Sequence, residues 1–134
     1  MALLERIKHH EGFRSKVYRC TENELTIGYG FAIKDLELDE DIAEMILMRK
    51  LDSLMNRIQK KFHWWRSAED EVKNVVVEMC YQLGVSGFSK FKKTIDHLEH
   101  KRYGKASAEM LDSKWAKQTP NRAIELSNII KNLE

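Results

Sequence analysis

Three side chains near the amino terminus, Glu11, Cys20 and Thr26, are of types that could carry out chemistry together. Glu11 follows Ile7 by four residues and Leu3 by eight, so on a helix it continues the apolar stripe and is expected to be partly desolvated. Desolvation raises the pKa of a carboxyl group, as a general acid working near neutral pH requires. The alternative is a helix-end carboxylate satisfied by an arginine or by backbone donors.

Cys20 and Thr26 lie in a stretch, residues 15–34, whose alternation of β-branched and polar types predicts a twisted hairpin. Positions 20, 24 and 26 share strand parity if the turn keeps its register, which would aim both side chains at one cleft. Each residue also has a purely structural interpretation, Cys20 as a buried thiol and Thr26 as an ordinary strand residue. The spacing alone leaves both interpretations open.

Other catalytic patterns are missing from the sequence. There is no serine, histidine and aspartate order, no glycine-rich phosphate loop and no zinc-ligand spacing. Cys20 and Cys80 are far apart, so we expect reduced thiols rather than a disulfide framework. We also expect no metal and no cofactor.

The elements that must position these residues are mostly helical. Hydrophobic residues make up 43% of the chain and charged residues 33%, with a single proline, which favours a soluble helical protein. After "KDLELDED", apolar residues recur at helical spacing and predict one helix of about 20 residues, or roughly 30 Å. Such a helix is long enough to link two lobes.

The carboxyl-terminal half contains signals for further helices. Ser67, with Asp70 three residues on, predicts a helix start, and Gly84 predicts its end. Further helices are predicted at 90–101, 105–116 and 120–132, the last opened by Thr119 as N-cap and Pro120 at the first helical position.

These elements predict an α+β architecture in a single domain, residues 1–134. Residues 12–38 would form a small β-containing lobe and residues 39–61 an interlobe helix. Residues 1–11 and 67–134 would form the helical lobe. A chain of this length buries most of its apolar surface on folding without the help of disulfides or structural metals.

Charge is distributed unevenly along the chain. Residues 1–59 carry 9 basic and 11 acidic side chains, whereas residues 60–134 carry 14 and 10. The basic half suits approach to a polyanionic wall, a membrane surface or a nucleic acid, or it is simply a solvated surface. Because its aromatics are few and its cations are interleaved with acids, we expect no nucleic-acid partner.

The segment "HHEGFRSKVYRCTENELTIGYG" resembles the catalytic segment of phage-type lysozymes, endolysins of glycoside hydrolase family 24 that hydrolyse peptidoglycan. Their signature is a Glu, eight residues, Asp or Cys, five residues, then Thr, which Glu11, Cys20 and Thr26 match. "LDEDIAEMILMRKLD" is similar to the family's interlobe helix, and "MCYQLGVSGF" also resembles the family. "SKWAKQTPNRA" is similar to the T-even phage lysozymes.

The resemblance implies a lysozyme fold with the active site in the cleft between its lobes. Glu11 would protonate the glycosidic oxygen between N-acetylmuramic acid and N-acetylglucosamine. Thr26 would hold the attacking water, and Cys20 would polarise it, which favours inversion at the anomeric carbon. Arg122 would pair with Glu11 and orient it, and Gln82 would brace the helix end that carries Glu11.

The remaining implied roles concern the sugar and the core. Tyr81 and Thr94 would line the saccharide cleft, while Trp115 would belong to the core of the helical lobe. A lytic transglycosylase would cleave the same bond but close an anhydro ring, and the presence of Thr26 at the water-holding position argues for hydrolysis. A non-catalytic wall-binding or nucleic-acid-binding protein is the alternative from another class.

The expected biology is lysis of a bacterial host. No run reaches membrane-spanning length and "MALLERIKHH" lacks the apolar core of a secretory signal, so we expect no stable membrane association. We also expect a monomer. It would stay in the bacterial cytoplasm until released to the cell wall. The resemblance implies a separate pore-forming partner, a holin, for that release, and peptidoglycan as the substrate.

Overall fold

A computed structural model describes residues 2–134 of the chain. Over this range there are seven α-helices and one three-stranded antiparallel sheet, which confirms the predicted α+β class. The chain divides into two compact units, the described residues up to Glu44 and Met45–Glu134. The helix at the amino terminus is grouped with the strands, and its predicted membership of the helical lobe stays a prediction.

The first unit is a helix followed by a small sheet with strand order β1-β2-β3. Its elements are α1 (Ala2–Glu11), β1 (Arg14–Arg19), β2 (Leu25–Gly28) and β3 (Phe31–Ala32). Thr26, in the central strand, is opposite Tyr18 on one side and Ala32 on the other. The predicted hairpin region is therefore a three-stranded meander, and its middle strand carries a candidate site residue.

The expected buried stripe on α1 is wrong. Leu3 is 61% exposed and Ile7 47%, and Glu11 is exposed as well. Among the described residues up to Glu44, Thr26 is the one buried residue. Helical spacing predicts which residues share a face, but a unit this small has too little interior to bury that face.

The second unit contains most of the helices. They are α2 (Glu40–Lys61), whose first turn lies in the first unit, α3 (Asp70–Phe88), α4 (Lys92–Glu99), α5 (Tyr103–Leu111), α6 (Lys114–Gln118) and α7 (Pro120–Lys131). The 22 residues of α2 match the predicted long helix. In the described part of the chain, no helix combines the length and the apolar character needed to cross a membrane.

Three predicted helix boundaries differ from the structure. Ser67 lies in a short 3₁₀ turn, where its hydroxyl donates to the Trp64 carbonyl, and α3 begins after Glu69 instead. Gly84 breaks α3, at φ +78°, but helical turns resume and continue to Phe88. The predicted helix over 105–116 is two helices, because the Ser113 side chain accepts the Ala116 N–H and starts α6 anew.

One hydrophobic core holds the second unit together. It draws on every helix from α2 to α7, and Trp115 belongs to it, as expected. Aromatic rings run through it in sequence, with Phe62 edge-on to Phe88, Phe88 stacked on Phe91, and Phe91 edge-on to Trp115, at centroid distances of 5.6, 6.1 and 6.0 Å. Such contacts add to the energy of apolar burial.

Two isoleucines on α7 provide a matched test of this core. Ile130 is fully buried, whereas Ile124 is 51% exposed. We expect Ile130→Ala to lower the free energy of unfolding by about 2–5 kcal/mol, because it leaves a cavity. Ile124→Ala should change it by no more than about 0.5 kcal/mol. Denaturant melts of both variants measure the difference, and equal losses would show that α7 does not pack as described.

Candidate active site

Glu11 is the last residue of α1, and its position is fixed by the way that helix ends. Gly12 follows in the left-handed region at φ +70°, a conformation that glycine adopts without strain. Its N–H donates to the Lys8 carbonyl at 2.9 Å and closes the final turn. The Glu11 side chain is thereby presented at a helix end and not along the helix.

The Glu11 carboxylate lies against the turn between β2 and β3. A methyl group in place of the Gly30 hydrogen would be 2.6 Å from Glu11 Oε2, which is closer than atoms can approach. On the same turn, the Tyr29 ring lies 5.4 Å from the Phe13 ring and 5.7 Å from Lys8 Nζ. These contacts from both sides of the helix end hold Glu11 next to the strand pair that contains Thr26.

The backbone of Glu24 links Cys20 to Thr26. Its carbonyl oxygen accepts the Cys20 N–H at 2.9 Å and the Thr26 hydroxyl at 3.0 Å. The turn itself is closed by the Asn23 N–H, which donates to the Cys20 carbonyl at 2.8 Å. Thr26 is buried and Cys20 half-buried, so the turn holds the thiol beside a sequestered hydroxyl.

The same turn changes the acidity of Cys20. The backbone N–H of Glu24, followed by that of Glu22, donates toward the sulfur and lowers the pKa of the Cys20 thiol. Desolvation opposes this shift, and the Thr26 hydroxyl adds to it. A free cysteine is mostly neutral at pH 7, and the folded turn shifts Cys20 toward the thiolate by lowering its pKa.

The Thr26 hydroxyl therefore has one proton and two acceptors within reach, the Glu24 carbonyl and the Cys20 sulfur. Whichever of the two acceptors binds this proton, the lone pairs of the hydroxyl oxygen can still accept a hydrogen bond from another donor. A water molecule placed between Thr26 and Cys20 could donate to both the hydroxyl oxygen and the sulfur. This is the arrangement needed to hold and polarise a nucleophilic water.

Both predicted orienting residues have hydrogen-bond partners within the second unit. Gln82 Oε1 accepts the Trp115 indole N–H at 2.9 Å, which fixes the amide on α3. Arg122 Nε donates to Glu78 Oε2 at 2.8 Å, joining α7 to α3. The proposed roles of Arg122 and Gln82 toward Glu11 remain predictions.

Tyr81 and Thr94 line separate cavities of the second unit. Thr94 is buried beside a cavity of about 510 Å³, where Phe91 and Trp115 supply aromatic surface. Tyr81 is half exposed beside a groove of about 600 Å³ along α2. The structure therefore does not place these two side chains in one cavity, and their contact with a saccharide stays a prediction.

Sequence reasoning missed several residues of these sites. Glu24 contributes its backbone carbonyl and N–H, which no side-chain pattern reveals. Gly30 contributes the absence of a side chain, which leaves room for the Glu11 carboxylate. The lysines around the Thr94 cavity were also missed, although the run "KFKK" at 90–93 and Lys114 carried a signal of basic and aromatic residues. Among the described residues no three metal-binding side chains cluster as a metal site would require.

Gly30 and Gly12 provide a matched pair for the position of Glu11. Both have positive φ, so an alanine strains either backbone, but only at Gly30 would it collide with the carboxylate. We expect Gly30→Ala to reduce turnover of a wall substrate much more than Gly12→Ala, with similar losses in melting temperature. Equal turnover in the two variants would show that the contact with Gly30 does not position Glu11.

The two cysteines should differ in reactivity with pH. The lowered pKa of Cys20 means that its alkylation rate should reach half-maximum at a lower pH than that of an unstructured cysteine peptide. Burial raises the pKa of Cys80 to about 12, so Cys80 should stay unreactive while the protein is folded. Iodoacetamide labelling followed by mass spectrometry measures both rates, and a Cys20 midpoint at or above that of the peptide would refute the turn's effect.

Comparison of the sequence with known proteins identifies a family for the chain. The sequence model described as phage lysozyme matches residues 8–128. Two proteins of Dictyostelium discoideum, named probable T4-type lysozymes 2 and 1, are 23% and 24% identical over 97% of this chain and 94% of their own lengths. The pre-baseplate central spike protein Gp5 of Enterobacteria phage T4 is 27% identical, and the match covers 28% of that protein. The match of the family over residues 8–128 includes Glu11, Cys20 and Thr26, and the chain belongs to the phage lysozyme family.

Proposed function

We propose that this chain hydrolyses the β-1,4 bond between N-acetylmuramic acid and N-acetylglucosamine in bacterial peptidoglycan. Family membership supports the coarser statement, a lysozyme-type glycosidase that acts on cell walls. The choice of bond rests on the resemblance of the segment around Glu11 to family members that cleave it.

The observation that carries the proposal is the turn that joins Cys20 to Thr26 through the Glu24 backbone. It presents a sulfur of lowered pKa and a hydroxyl oxygen side by side, both able to accept from one water. Glu11 is held at the end of α1 against Gly30, in the same unit. An acid and a water-holding pair are the two parts that hydrolysis of a glycoside requires.

In the proposed reaction Glu11 donates its proton to the glycosidic oxygen as the bond to the anomeric carbon breaks. The water held by Thr26 and Cys20 attacks that carbon from the opposite face, and its surplus proton leaves by way of the sulfur. The product has inverted configuration because no side chain bonds to the sugar. Proton nuclear magnetic resonance of the fresh product identifies its anomer and tests inversion.

A transglycosylase remains the second candidate, because it needs only the acid. Its product closes an internal anhydro ring and is lighter by one water than a hydrolysis product. Mass analysis of the released fragments separates the two reactions. The buried hydroxyl of Thr26 beside Cys20 favours hydrolysis, since ring closure has no need of a held water.

For the biological role we propose lysis of a bacterial host by a monomer that reaches the wall from the host cytoplasm through a holin-type pore. This role follows the resemblance to endolysins. Expression with and without a pore-forming partner tests it, and culture lysis that does not depend on the pore would contradict the release route.

Glu11→Gln tests the proposed acid directly. It keeps the shape of the side chain and removes the proton donor, so release of reducing ends from purified peptidoglycan should fall by about 10²-fold to 10⁴-fold. Because Glu11 is exposed, the free energy of unfolding should change by no more than about 0.5 kcal/mol. Glu5→Gln, an exposed acid on the same helix, is the control and should retain activity. Comparable activity in both variants would refute the assignment of Glu11.

A further inference from the structure

A row of positive charges follows one face of α2 in the second unit. It comprises Arg49, Lys50, Arg57, Lys60 and Lys61, all exposed. At about 100° per residue these positions fall within an arc of roughly 120°, and they span about 18 Å along the helix axis. Asp52, the acid within this segment, falls outside that arc.

The row borders two cavities, and Arg57 lines both of them. We call the two cavities together the basic groove. The first, of about 600 Å³, is lined by Arg49 and Lys50 together with the hydroxyl residues Ser53 and Tyr81. The second, of about 430 Å³, is lined by Lys60, Lys61 and Ser86. The two cavities adjoin at Arg57 and together follow α2 from Ile46 to Lys61, with hydroxyl residues as well as cations in their lining.

Among the described residues, 2–134, no carboxylate belongs to the basic groove. No Asp or Glu lines either cavity, and none of the five cations has a carboxylate oxygen within 4.0 Å. The cavity beside Thr94 is different, because Glu109 and Asp112 accompany its lysines. Lysines alone therefore do not distinguish the basic groove; the lack of balancing acids does.

Uncompensated cations in such a short row repel one another, most strongly within Arg49–Lys50 and within Arg57–Lys61, where neighbours lie inside the screening distance of about 8–10 Å at physiological salt. A bound polyanion would remove that repulsion and release its own condensed counterions. The net positive charge of the second unit also attracts a polyanion, because Met45–Glu134 contains 17 basic and 11 acidic side chains. Because the row spans about 18 Å and three hydroxyl residues line the basic groove, the groove fits an extended chain better than a single ion.

We propose that the basic groove binds a linear polymer of polyol units joined by phosphodiesters. Phosphates would meet the cations near the two ends of the row, Arg49 with Lys50 and Arg57 with Lys60 and Lys61, and the serine and tyrosine hydroxyls would bond to the polyol oxygens. The charge match stands on the structure alone. Placing this polymer in a cell wall rests on the proposed function, whereas binding itself does not involve Glu11.

Two other polyanions fit less well. A single-stranded nucleic acid needs aromatic rings on which bases stack, and Tyr81 is the one aromatic residue among the described lining residues. An anionic membrane needs an apolar stripe beside the cations. The exposed apolar residues of α2, Ile42 and Met45 to Met48, all precede Arg49, so they lie beyond one end of the row of cations and not alongside it.

The test measures binding of a fluorescent poly(glycerol phosphate) by anisotropy at several salt concentrations. The variant is Arg49→Gln with Arg57→Gln and Lys61→Gln, which keeps helix propensity because glutamine is as good a helix former. At low salt we expect its affinity to fall by about two orders of magnitude, and the slope of log affinity against log salt to flatten by about 2.

The matched control removes the same charge elsewhere in the second unit. Lys105→Gln with Lys117→Gln and Lys131→Gln changes three exposed lysines that line neither cavity. We expect a loss of less than about threefold, since screened charges at a distance act weakly. Circular dichroism confirms that both variants fold.

Each other outcome would overturn the proposal. Equal losses in the two variants would mean that net charge, and not the basic groove, attracts the polymer. Tighter binding of oligothymidylate of equal charge would assign the groove to nucleic acid, and preference for anionic vesicles would assign it to a membrane. Glu11→Gln should bind the polymer as the parent does, so loss of hydrolysis and loss of polymer binding are separable.

Discussion

The candidate site depends on one backbone oxygen, the carbonyl of Glu24. It accepts both the Cys20 N–H and the Thr26 hydroxyl, and the N–H of the same residue favours the Cys20 thiolate. A thiol and a hydroxyl six residues apart are thus held side by side without any side chain devoted to the task. The spacing between Cys20 and Thr26 is the length needed for a turn to fold back and for the next strand to begin.

The two units are stabilised by different interactions. In the first, hydrogen bonds of the turn and the left-handed glycines at the ends of elements fix the candidate catalytic groups, with Thr26 as the sole buried residue among those described. In the second, a continuous apolar and aromatic core joins the helices. The candidate catalytic groups are thus positioned by local hydrogen bonds, whereas the second unit is stabilised by packing.

Sequence patterns predicted the features that depend on local chemistry or helical periodicity. The length of α2, Pro120 at the start of α7 and the core position of Trp115 are of this kind. The exposure of Glu11 was not predictable, because periodicity assigns a face to a helix without saying whether anything covers it. The acidity of Cys20 depends on backbone N–H directions, which exist only once the turn has formed.

Gly84 illustrates a further limit of the sequence. Glycine near the end of a helical pattern indicates termination, but the apolar residues Val85 and Phe88 beyond it pack into the core and draw the chain back into helical turns. Packing of residues after the break therefore overrides the local preference to stop. The family assignment could be made before the fold was known because several separated motifs follow one another along the chain in the family's order, which folding does not alter.

The distribution of tryptophan has a practical consequence. Trp64, Trp65 and Trp115 all lie in Met45–Glu134 and are buried in its core, whereas the described residues up to Glu44 contain no indole. Tryptophan emission, excited at a wavelength that tyrosine does not absorb, therefore reports on the helical unit and is silent about the unit that carries Glu11, Cys20 and Thr26. A thermal scan followed by tryptophan emission could record an intact protein whose strands have already opened and whose candidate catalytic groups have moved apart.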